Sequence, residues 1–485
     1  MKKNSFLHCI AVGLAATLAL SGCDSGGSDQ VLGSGGTGTG GSGGSGSATG
    51  VTGTGGMGLT GGTVPTTGGT GGTIGGTSGT GTSGGTSGAT DSSTTDGTDS
   101  PTVDPVVQFT QAVSLEVSAA GFTNPTQMAR IGNRVFYLDG FNLGQNLGRL
   151  MSFTVTSTAT GTTFSAPTQV TSIAGSPESS SLDNPFGLTT DGTDLFITVG
   201  FNIATDGAVL RVSNITGNTA RFERITLDVS PGAIPINPAF LFVTNVDGQE
   251  YCYWSEYSAL GVGGRVRRVR TDAVGAVQEV VNQLNFPAGI ATDGTNMVVC
   301  DSSGGTGGQV VRVPLSFTGT TRTPSTNGGV VVTRFGSEQN IQRPFDVTYD
   351  GATGFVFTEG NAIVTTPLVG PGPLGTGGAV RYLPSGSTTA RLIANGLNNP
   401  SGVSAVSLNS TNVGVTFAES VFLNGTLLRR VFNPSAPTLV TPTVLGTGLD
   451  QPLATMIFSA TTPEFLVTVN YSAGTPTGLV SSYRP

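Results

Sequence analysis

A recurring proline divides most of this chain into segments of similar length and plan. It opens segments such as "NPFGLTTDGTDLFITVG" and "FPAGIATDGTNMVVCDS", and successive prolines lie 49 to 60 residues apart. Each segment has an apolar run, a turn rich in Asp and Gly, and a second apolar run ending near an acid or amide. Such self-similarity is typical of a fold built from one repeated unit. The prolines are Pro125, Pro185, Pro238, Pro287, Pro344, Pro400 and Pro452.

Four short strands are predicted in each unit. The proline opens an inner strand, a turn such as "TDGT" closes a hairpin with the second strand, and third and fourth strands lead to the next proline. The last unit is one strand short, and residues 112–121 can supply the missing strand, since pairing the chain ends removes free sheet edges. We therefore predict an all-β fold, a seven-bladed β-propeller over residues 107–485, with six or eight blades as less favoured counts.

The unit "PAGIATDGTNMVVCDSSGGTGGQVVRV", together with "YWSE" and "FVFTEG", resembles the repeats of the NHL, YWTD and streptogramin-lyase-like propellers. The resemblance covers about residues 107–485 and implies the fold. It does not specify a function, because such structural motifs recur across many activities. It implies, as an alternative to a binding role, a metal-dependent enzyme similar to streptogramin lyases or gluconolactonases. The lyases use a histidine base, and the lactonases use a metal held by Glu, Asn and Asp.

Residues 1–22 have the pattern of an export signal. Lys2 and Lys3 precede a short apolar run, and "LALSGC" resembles the lipobox of bacterial lipoproteins. We predict cleavage before Cys23 and lipidation of that cysteine, which would anchor the protein to a bacterial membrane on the periplasmic side or at the cell surface. The rest of segment 23–106 is mostly Gly, Ser and Thr, which bury too little apolar surface to fold, so a disordered linker is predicted.

Acids recur at the end of the second strand, and arginines recur on the third. Such neighbours can form charge-assisted pairs, so the first interpretation is structural, with Trp254 of "CYWSEY" packed between sheets. The alternative is that the same oxygens bind calcium at the channel mouth. The second unit departs from the pattern, because Val199 lies opposite Arg211. The candidate metal ligands are Asp139, Glu256, Asp301, Glu359, Glu419 and Asn470, and the candidate ion-pair partners are Arg149, Arg268, Arg312, Arg381 and Arg430.

Histidine and lysine occur only in the predicted signal, as His8, Lys2 and Lys3. A chain cleaved before Cys23 therefore has no Ser-His-Asp triad, no histidine-ligated metal and no Schiff-base lysine. The formal net charge of −8 argues against nucleic acid as a partner. No cofactor is expected apart from the calcium alternative. We predict a non-catalytic binding scaffold whose ligand, besides the membrane, is a protein, a glycan or a small molecule.

Binding is expected at the loops between second and third strands and between units, which lie on one face around the channel. Long loops on a rigid scaffold commonly carry function. The candidate loop residues are Asn202, Tyr257, Asn361, Glu338 and Asn340.

The two remaining cysteines lie on second strands of successive units. Cys300 is about three residues further along its strand than Cys252, a displacement of about 10 Å. A disulfide requires Cα atoms within about 7 Å, so two buried free thiols are predicted.

Overall fold

The computed structural model describes residues 113–116, 125–140, 147–158, 161–201, 207–226, 237–256, 263–302, 308–316, 330–334, 341, 343–360, 377–420, 424–449, 452–457, 466–470 and 479–483. For 113–116, 157–158, 161–164, 330–334, 466–470 and 479–483, the description covers the backbone. Cys23 and the predicted linker 23–106 lie outside these ranges. In the part of the chain that is described, no helix is long and apolar enough to cross a membrane.

Regular structure in these ranges consists of short strands. In chain order they are β1 (Val113–Glu116), β2 (Met128–Ile131), β3 (Arg134–Asp139), β4 (Arg149–Thr158), β5 (Gly161–Phe164), β6 (Thr168–Gln169), β7 (Thr171–Ser172), β8 (Leu188–Thr190), β9 (Leu195–Val199), β10 (Ala208–Thr216), β11 (Thr219–Arg224), β12 (Pro238–Val246), β13 (Gln249–Glu256), β14 (Gly264–Arg270), β15 (Gln278–Leu284), β16 (Pro287–Thr292), β17 (Asn296–Asp301), β18 (Gln309–Pro314), β19 (Val330–Arg334), β20 (Pro344–Tyr349), β21 (Gly354–Glu359), β22 (Gly378–Pro384), β23 (Arg391–Leu397), β24 (Pro400–Ser407), β25 (Val413–Glu419), β26 (Gly425–Phe432), β27 (Thr443–Leu449), β28 (Pro452–Ile457), β29 (Leu466–Asn470) and β30 (Leu479–Tyr483).

The strands form an all-β propeller, as predicted, but the predicted count of seven blades needs correction. Six blades are built from consecutive strands: β2-β3-β4-β5 with β6 on β4, β8-β9-β10-β11 with β7 on β11, β12 to β15, β16 to β19, β20 to β23, and β24 to β27. The remaining sheet is a composite of the two chain ends, in the order β1-β30-β29-β28, and side chains are described there for β28 alone. The last proline-led segment supplies three of its strands, so it does not make a complete blade by itself.

Neighbouring inner strands join the sheets into a closed ring. Strand β2 contacts β8, β8 contacts β12, and the series continues through β16, β20 and β24 to β28, which contacts β2. Strand β1 is antiparallel to β30, with Val113 opposite Ser482 and Glu116 opposite Leu479. It lies within residues 112–121, the stretch that the sequence analysis assigned to closure. The composite sheet therefore joins the beginning of the propeller to its end.

Hairpin turns between first and second strands follow the Asp-Gly signal. In the β16–β17 turn, the Asp293 carboxylate accepts hydrogen bonds from the backbone N–H groups of Thr295 at 2.9 Å and Asn296 at 2.7 Å. Gly294 has a φ of +86°, which side chains with a Cβ rarely adopt. Local turn chemistry therefore determines where the hairpins with an Asp-Gly pair reverse, whereas the β2–β3 turn has Gly132 and Asn133 and the β24–β25 turn contains no glycine.

Inner strands approach one another so closely that glycine is required at some contacts. A Cβ placed on Gly289 would lie 2.7 Å from the Cα of Asp346 on the next inner strand. A Cβ on Gly402 would lie 2.3 Å from the carbonyl oxygen of Leu453, again on the next strand. Both glycines stand two residues after a proline that opens an inner strand. This part of the repeat therefore sets the spacing between adjacent blades.

Apolar side chains pack between the sheets. Trp254 is fully buried with Phe196, Val209 and Cys252 between the β8–β11 and β12–β15 sheets, which confirms the predicted packing. Cys300 is buried in a different cluster, between the β16–β19 and β20–β23 sheets. Both thiols are free, as predicted, and burial raises the pKa of each well above its ordinary value.

The β1–β30 pairing predicts that closure depends on the segment before residue 124. We expect a chain beginning at residue 124 to melt at a lower temperature, or to aggregate, because it leaves the edge of β30 unpaired. A chain beginning at residue 104 retains β1 and serves as the control. Thermal unfolding followed by circular dichroism measures the difference, and equal melting temperatures would show that β1 does not close the ring.

Candidate functional site

The repeated acids share one position, opposite the proline that opens the inner strand. In the sheet register, Pro238 faces Glu256, Pro287 faces Asp301, Pro344 faces Glu359 and Pro400 faces Glu419. Pro452 faces Asn470 in the same way, although the Asn470 side chain lies outside the described part. The acids therefore lie at the end of the propeller where the inner strands begin.

Two of the expected acid–arginine pairs are present. The Arg149 Nε donates to the Asp139 carboxylate at 2.8 Å, and Asp139 is fully buried. The Arg381 Nε donates to the Glu359 carboxylate at 2.8 Å. Burial raises the pKa of Glu359 to about 7, although Arg381 opposes that rise. These arginines neutralise carboxylates that the fold has removed from water.

Glu256, of the "CYWSEY" stretch, lies in a denser network. It accepts hydrogen bonds from the Trp254 indole Nε1 at 2.6 Å and from the Arg265 Nε at 2.7 Å, and the Arg267 Nη1 lies 3.6 Å away. Burial raises the pKa of Glu256, and the two arginines oppose that rise. The carboxylate joins the second and third strands of its own blade.

Three predicted arginine partners are wrong. Arg268 donates to Gln278 at 2.8 Å and Tyr253 at 2.9 Å, Arg312 donates to the carbonyl of Pro384, and Arg430 donates to the carbonyl of Thr438. In the second unit, the prediction that Val199 lies opposite Arg211 is also wrong, because the residue opposite Val199 is Ala208. Arg211 pairs with Asp194 at 2.5 Å.

The physical reason is the two-residue period of a strand. The residue opposite each acid is Arg149, Arg265, Gln309, Ala379 or Thr426. Arg268 and Arg312 stand three residues beyond that position and therefore point to the opposite face of the sheet. Arg430 stands four residues beyond it, on the same face but about 13 Å along the strand, which is too far to reach Glu419. Arg381 stands two residues beyond it, on the same face, and can reach Glu359.

Asp301 and Glu419 accept hydrogen bonds from neutral donors. Asp301 accepts from the backbone N–H groups of Asn285 at 2.8 Å and Phe286 at 2.9 Å, and from Gln309 at 2.7 Å. Glu419 accepts from the backbone N–H of Asn398 at 2.7 Å and from the Thr426 hydroxyl. Burial raises the pKa of Asp301, and the hydrogen bonds from Gln309, Phe286 and Asn285 oppose that rise. Both acids fasten the segment that leads into the inner strand.

Calcium binding by the repeated acids stays a prediction. Around the described acids, N–H or hydroxyl donors face the carboxylates, whereas a calcium site requires several oxygens that converge on one point. Among the described residues, no three His, Cys, Asp or Glu side chains are grouped closely enough to hold a metal ion. The loop residues Asn202, Tyr257, Asn361, Glu338 and Asn340 lie outside the described ranges, so their predicted role in binding is also untested.

Aromatic side chains fill the interior of the ring near the start of the inner strands. The Phe240 ring packs edge-on against Phe186 at 5.2 Å and against Phe345 at 5.7 Å between ring centroids. Phe201 stacks on Phe186 at 4.8 Å. These rings come from three different sheets, so they connect blades that are not adjacent in sequence.

A small cavity of about 10 Å³, about enough for one water molecule, lies beside this cluster, where the sheets of β16–β19, β20–β23 and β24–β27 meet. Its chemistry is mixed, because a guanidinium, hydroxyls and an amide share the lining with a phenyl and a pyrrolidine ring. The lining residues are Ser302, Arg343, Phe345, Gly360, Asn399, Pro400 and Ser401. The repeat pattern does not predict this cavity. Arg343 is nonetheless visible in the repeat, because it stands before Pro344 where four of the seven units have asparagine.

Asp346 links two inner strands close to this cavity. Its carboxylate accepts hydrogen bonds from the backbone N–H of Val347 at 2.9 Å and from that of Val403, on the next inner strand, at 3.0 Å. Burial raises the pKa of Asp346 to about 7, although both donors favour the charged form. The side chain therefore changes its protonation near neutral pH while it holds two blades together.

No protein-family model matches this chain, and no curated protein sequence does. Among solved structures, it is similar to a puromycin hydrolase S511A mutant complexed with PGG, with 12% identity, a TM-score of 0.44 and coverage of 72% of this chain. This chain spans half the length of that hydrolase. It is also similar to the Dos1 propeller (10% identity, TM-score 0.42, covering 75% of this chain and 93% of that one). A putative 6-phosphogluconolactonase from Bacteroides uniformis has 12% identity and a TM-score of 0.39, with coverage of 74% and 95%. None of these similarities assigns an activity.

The Glu256 network predicts a large loss of stability on truncation of this acid. We expect Glu256→Ala to lower the free energy of unfolding by about 3–5 kcal/mol, because it leaves two arginines and an indole N–H without their shared acceptor. Urea unfolding measures the change. As the control, Asp272→Ala removes a pair with Arg270 in which both side chains are about half exposed, and no measurable change is expected.

A double-mutant cycle tests the corrected register. Glu256→Gln should couple strongly to Arg265→Gln and negligibly to Arg268→Gln. Stronger coupling to Arg268 would show that the assignment of Arg265 as the partner is wrong.

Proposed function

We propose that this protein is a binding protein of the bacterial cell envelope, held to a membrane by lipid on Cys23. In this proposal, segment 23–106 is a tether. The propeller over residues 107–485 binds a ligand on the face where its inner strands begin. It binds a protein, a glycan or a small molecule and does not catalyse a reaction.

The observation that carries this proposal is the use of the repeated acids. Asp139, Glu256 and Glu359 pair with arginines, while Asp301 and Glu419 accept backbone and side-chain hydrogen bonds. A catalytic acid needs access to a substrate, and a metal ligand needs a lone pair directed at the ion. In these positions the carboxylates instead join strands within a blade or hold the segment that leads into the inner strand, which favours a scaffold.

The composition of the chain also supports a non-catalytic role. Beyond the predicted signal there is no histidine to act as a base near neutral pH and no lysine to form a Schiff base. The alternative is a metal-dependent lyase or lactonase-like enzyme. It would require the acids to exchange their present donors for a shared cation.

Lipid anchoring predicts that Cys23→Ser releases the protein from membranes. We expect the variant to appear in the soluble fraction and to lose incorporation of labelled fatty acid, because the thiol that would be acylated is gone. Fractionation after a high-salt wash, with acyl labelling, measures both effects. Cys252→Ser is the control, since that thiol is buried in the propeller. If Cys23→Ser stays with washed membranes, lipid is not what holds the protein there.

The non-catalytic role predicts no acceleration of lactone hydrolysis. With D-glucono-1,5-lactone as the probe and a pH-stat as the assay, we expect the rate to equal that of buffer, with and without added calcium. A calcium-dependent rate that is lost in Glu359→Gln would establish the lactonase-like alternative.

A further inference from the structure

Exposed apolar side chains are concentrated at the outer edge of the β24–β27 sheet. Among the residues whose side chains the structure describes, five large apolar side chains are exposed, and three of them lie within a span of six residues. A single exposed apolar residue needs no explanation, but a group of them marks an interaction surface. The three are Leu439, Val440 and Val444, with exposed fractions of 49%, 46% and 52%, and the other two are Leu147 and Val274.

Strand β27 has an open edge among the described strands. It is the last strand in the order β24-β25-β26-β27 and is antiparallel to β26, with Val444 opposite Leu428. No described strand pairs with its other side. The backbone N–H and C=O groups that point to that side can therefore pair with a further strand.

The absence of charge distinguishes this edge from the fourth strands of three other sheets. Glu279 lies in β15, Arg334 in β19 and Arg391 in β23, and charged residues on an edge strand oppose pairing with another strand. Residues 431–449 contain no Asp, Glu, Arg or Lys. The edge of β27 therefore combines open backbone groups and exposed apolar side chains, and it has no charge to repel a second strand.

The inner side of β27 is fixed by apolar packing. Leu445 and Leu449 are buried in a cluster with Leu427 of β26, and Ile457 of β28 packs against this cluster. Val444 precedes Leu445, so its side chain points to the other face of the sheet, where it is half exposed. Pairing through the outer edge therefore requires no rearrangement of the core.

The segment that leads into β27 is held by two arginines. Arg391 of β23 donates to the carbonyl of Ser435 at 3.0 Å, and Arg430 of β26 donates to the carbonyl of Thr438 at 3.4 Å. These hydrogen bonds fix the backbone just before Leu439. A surface that is fixed before binding loses less conformational entropy when a partner arrives.

We propose that the outer edge of β27 pairs with β27 of a second copy of this chain, antiparallel and about a two-fold axis. The pairing joins two four-stranded sheets into one continuous sheet. A second copy fits this edge because, about a two-fold axis, both copies present the same backbone groups and the same apolar side chains to each other. Charge favours the same partner. The chain has a formal net charge of −8, so two copies repel each other in general, but residues 431–449 add nothing to that repulsion.

Sedimentation velocity of the detergent-solubilised full-length protein tests the pairing. We expect a monomer–dimer equilibrium that depends on protein concentration, because the edge pairing and the apolar contact are made only in the dimer. Species that grow beyond a dimer would show open-ended assembly and overturn the two-fold arrangement. A protein that stays monomeric up to about 100 µM would overturn the proposal and leave this edge to a different partner.

Matched variants locate the contact. Val444→Arg brings a positive charge from each copy to the β27 edge and should weaken dimerisation by roughly tenfold or more. Val440→Arg repeats the change in the segment before β27 and should have the same effect, so a folding defect in one variant does not decide the result. Val274→Arg is the control, since it makes the same change at a valine that is 43% exposed between β14 and β15, and it should dimerise as the parent does.

The comparison between variants also excludes an effect of the detergent. Two copies that share one micelle would resemble a dimer to the same extent in every variant. If Val444→Arg and Val440→Arg dimerise as strongly as Val274→Arg, the contact lies elsewhere and the proposal is overturned. The pairing uses the outer edge of one sheet and not the face where the inner strands begin, so neither result alters the membrane-release or lactone experiments.

Discussion

The close approach of the inner strands is the constraint on which the rest of this structure depends. Each inner strand contacts the next, and the series returns from β28 to β2. Where two strands come nearest, Gly289 and Gly402 leave no room for a Cβ. A ring closed in this way covers the inner edge of each sheet, and it requires the blades to start at a common level along the ring axis. The proline and the acid that face each other in the register provide that common starting point.

The buried acids follow from this requirement. A carboxylate at the end of the second strand can fasten the chain as it enters the inner strand, as Asp301 does with two backbone N–H groups. Once buried, the carboxylate needs a donor to offset its lost hydration. The blades meet that need differently, with Arg149, Arg265, Gln309, Arg381 or Thr426. A single structural task with interchangeable donors accounts for the carboxylates that recur at this end of the propeller.

Much of this architecture is predictable from the repeat, because proline, Asp-Gly turns and alternating apolar residues act locally. The acid–arginine partners are predictable only in part. Arginine recurs on the third strand, but successive side chains of a strand point to alternate faces of the sheet. Arg268 and Arg312 lie an odd number of residues from the position opposite the acid, so they point to the other face. The blade count fails for another reason: the composite sheet draws on both chain ends, so its segment does not stand for a complete blade. The cavity is assembled from three sheets, and Arg343 is distinguished only by its departure from the asparagine of other units.

The two free thiols give the propeller a pair of internal reporters. Cys252 lies between one pair of blades and Cys300 between another, and both are fully buried. A thiol reagent can modify either one only after the interface that encloses it has opened. The labelling rates of the two cysteines would therefore compare how often two different interfaces between blades open. No cysteine would have to be introduced by mutation.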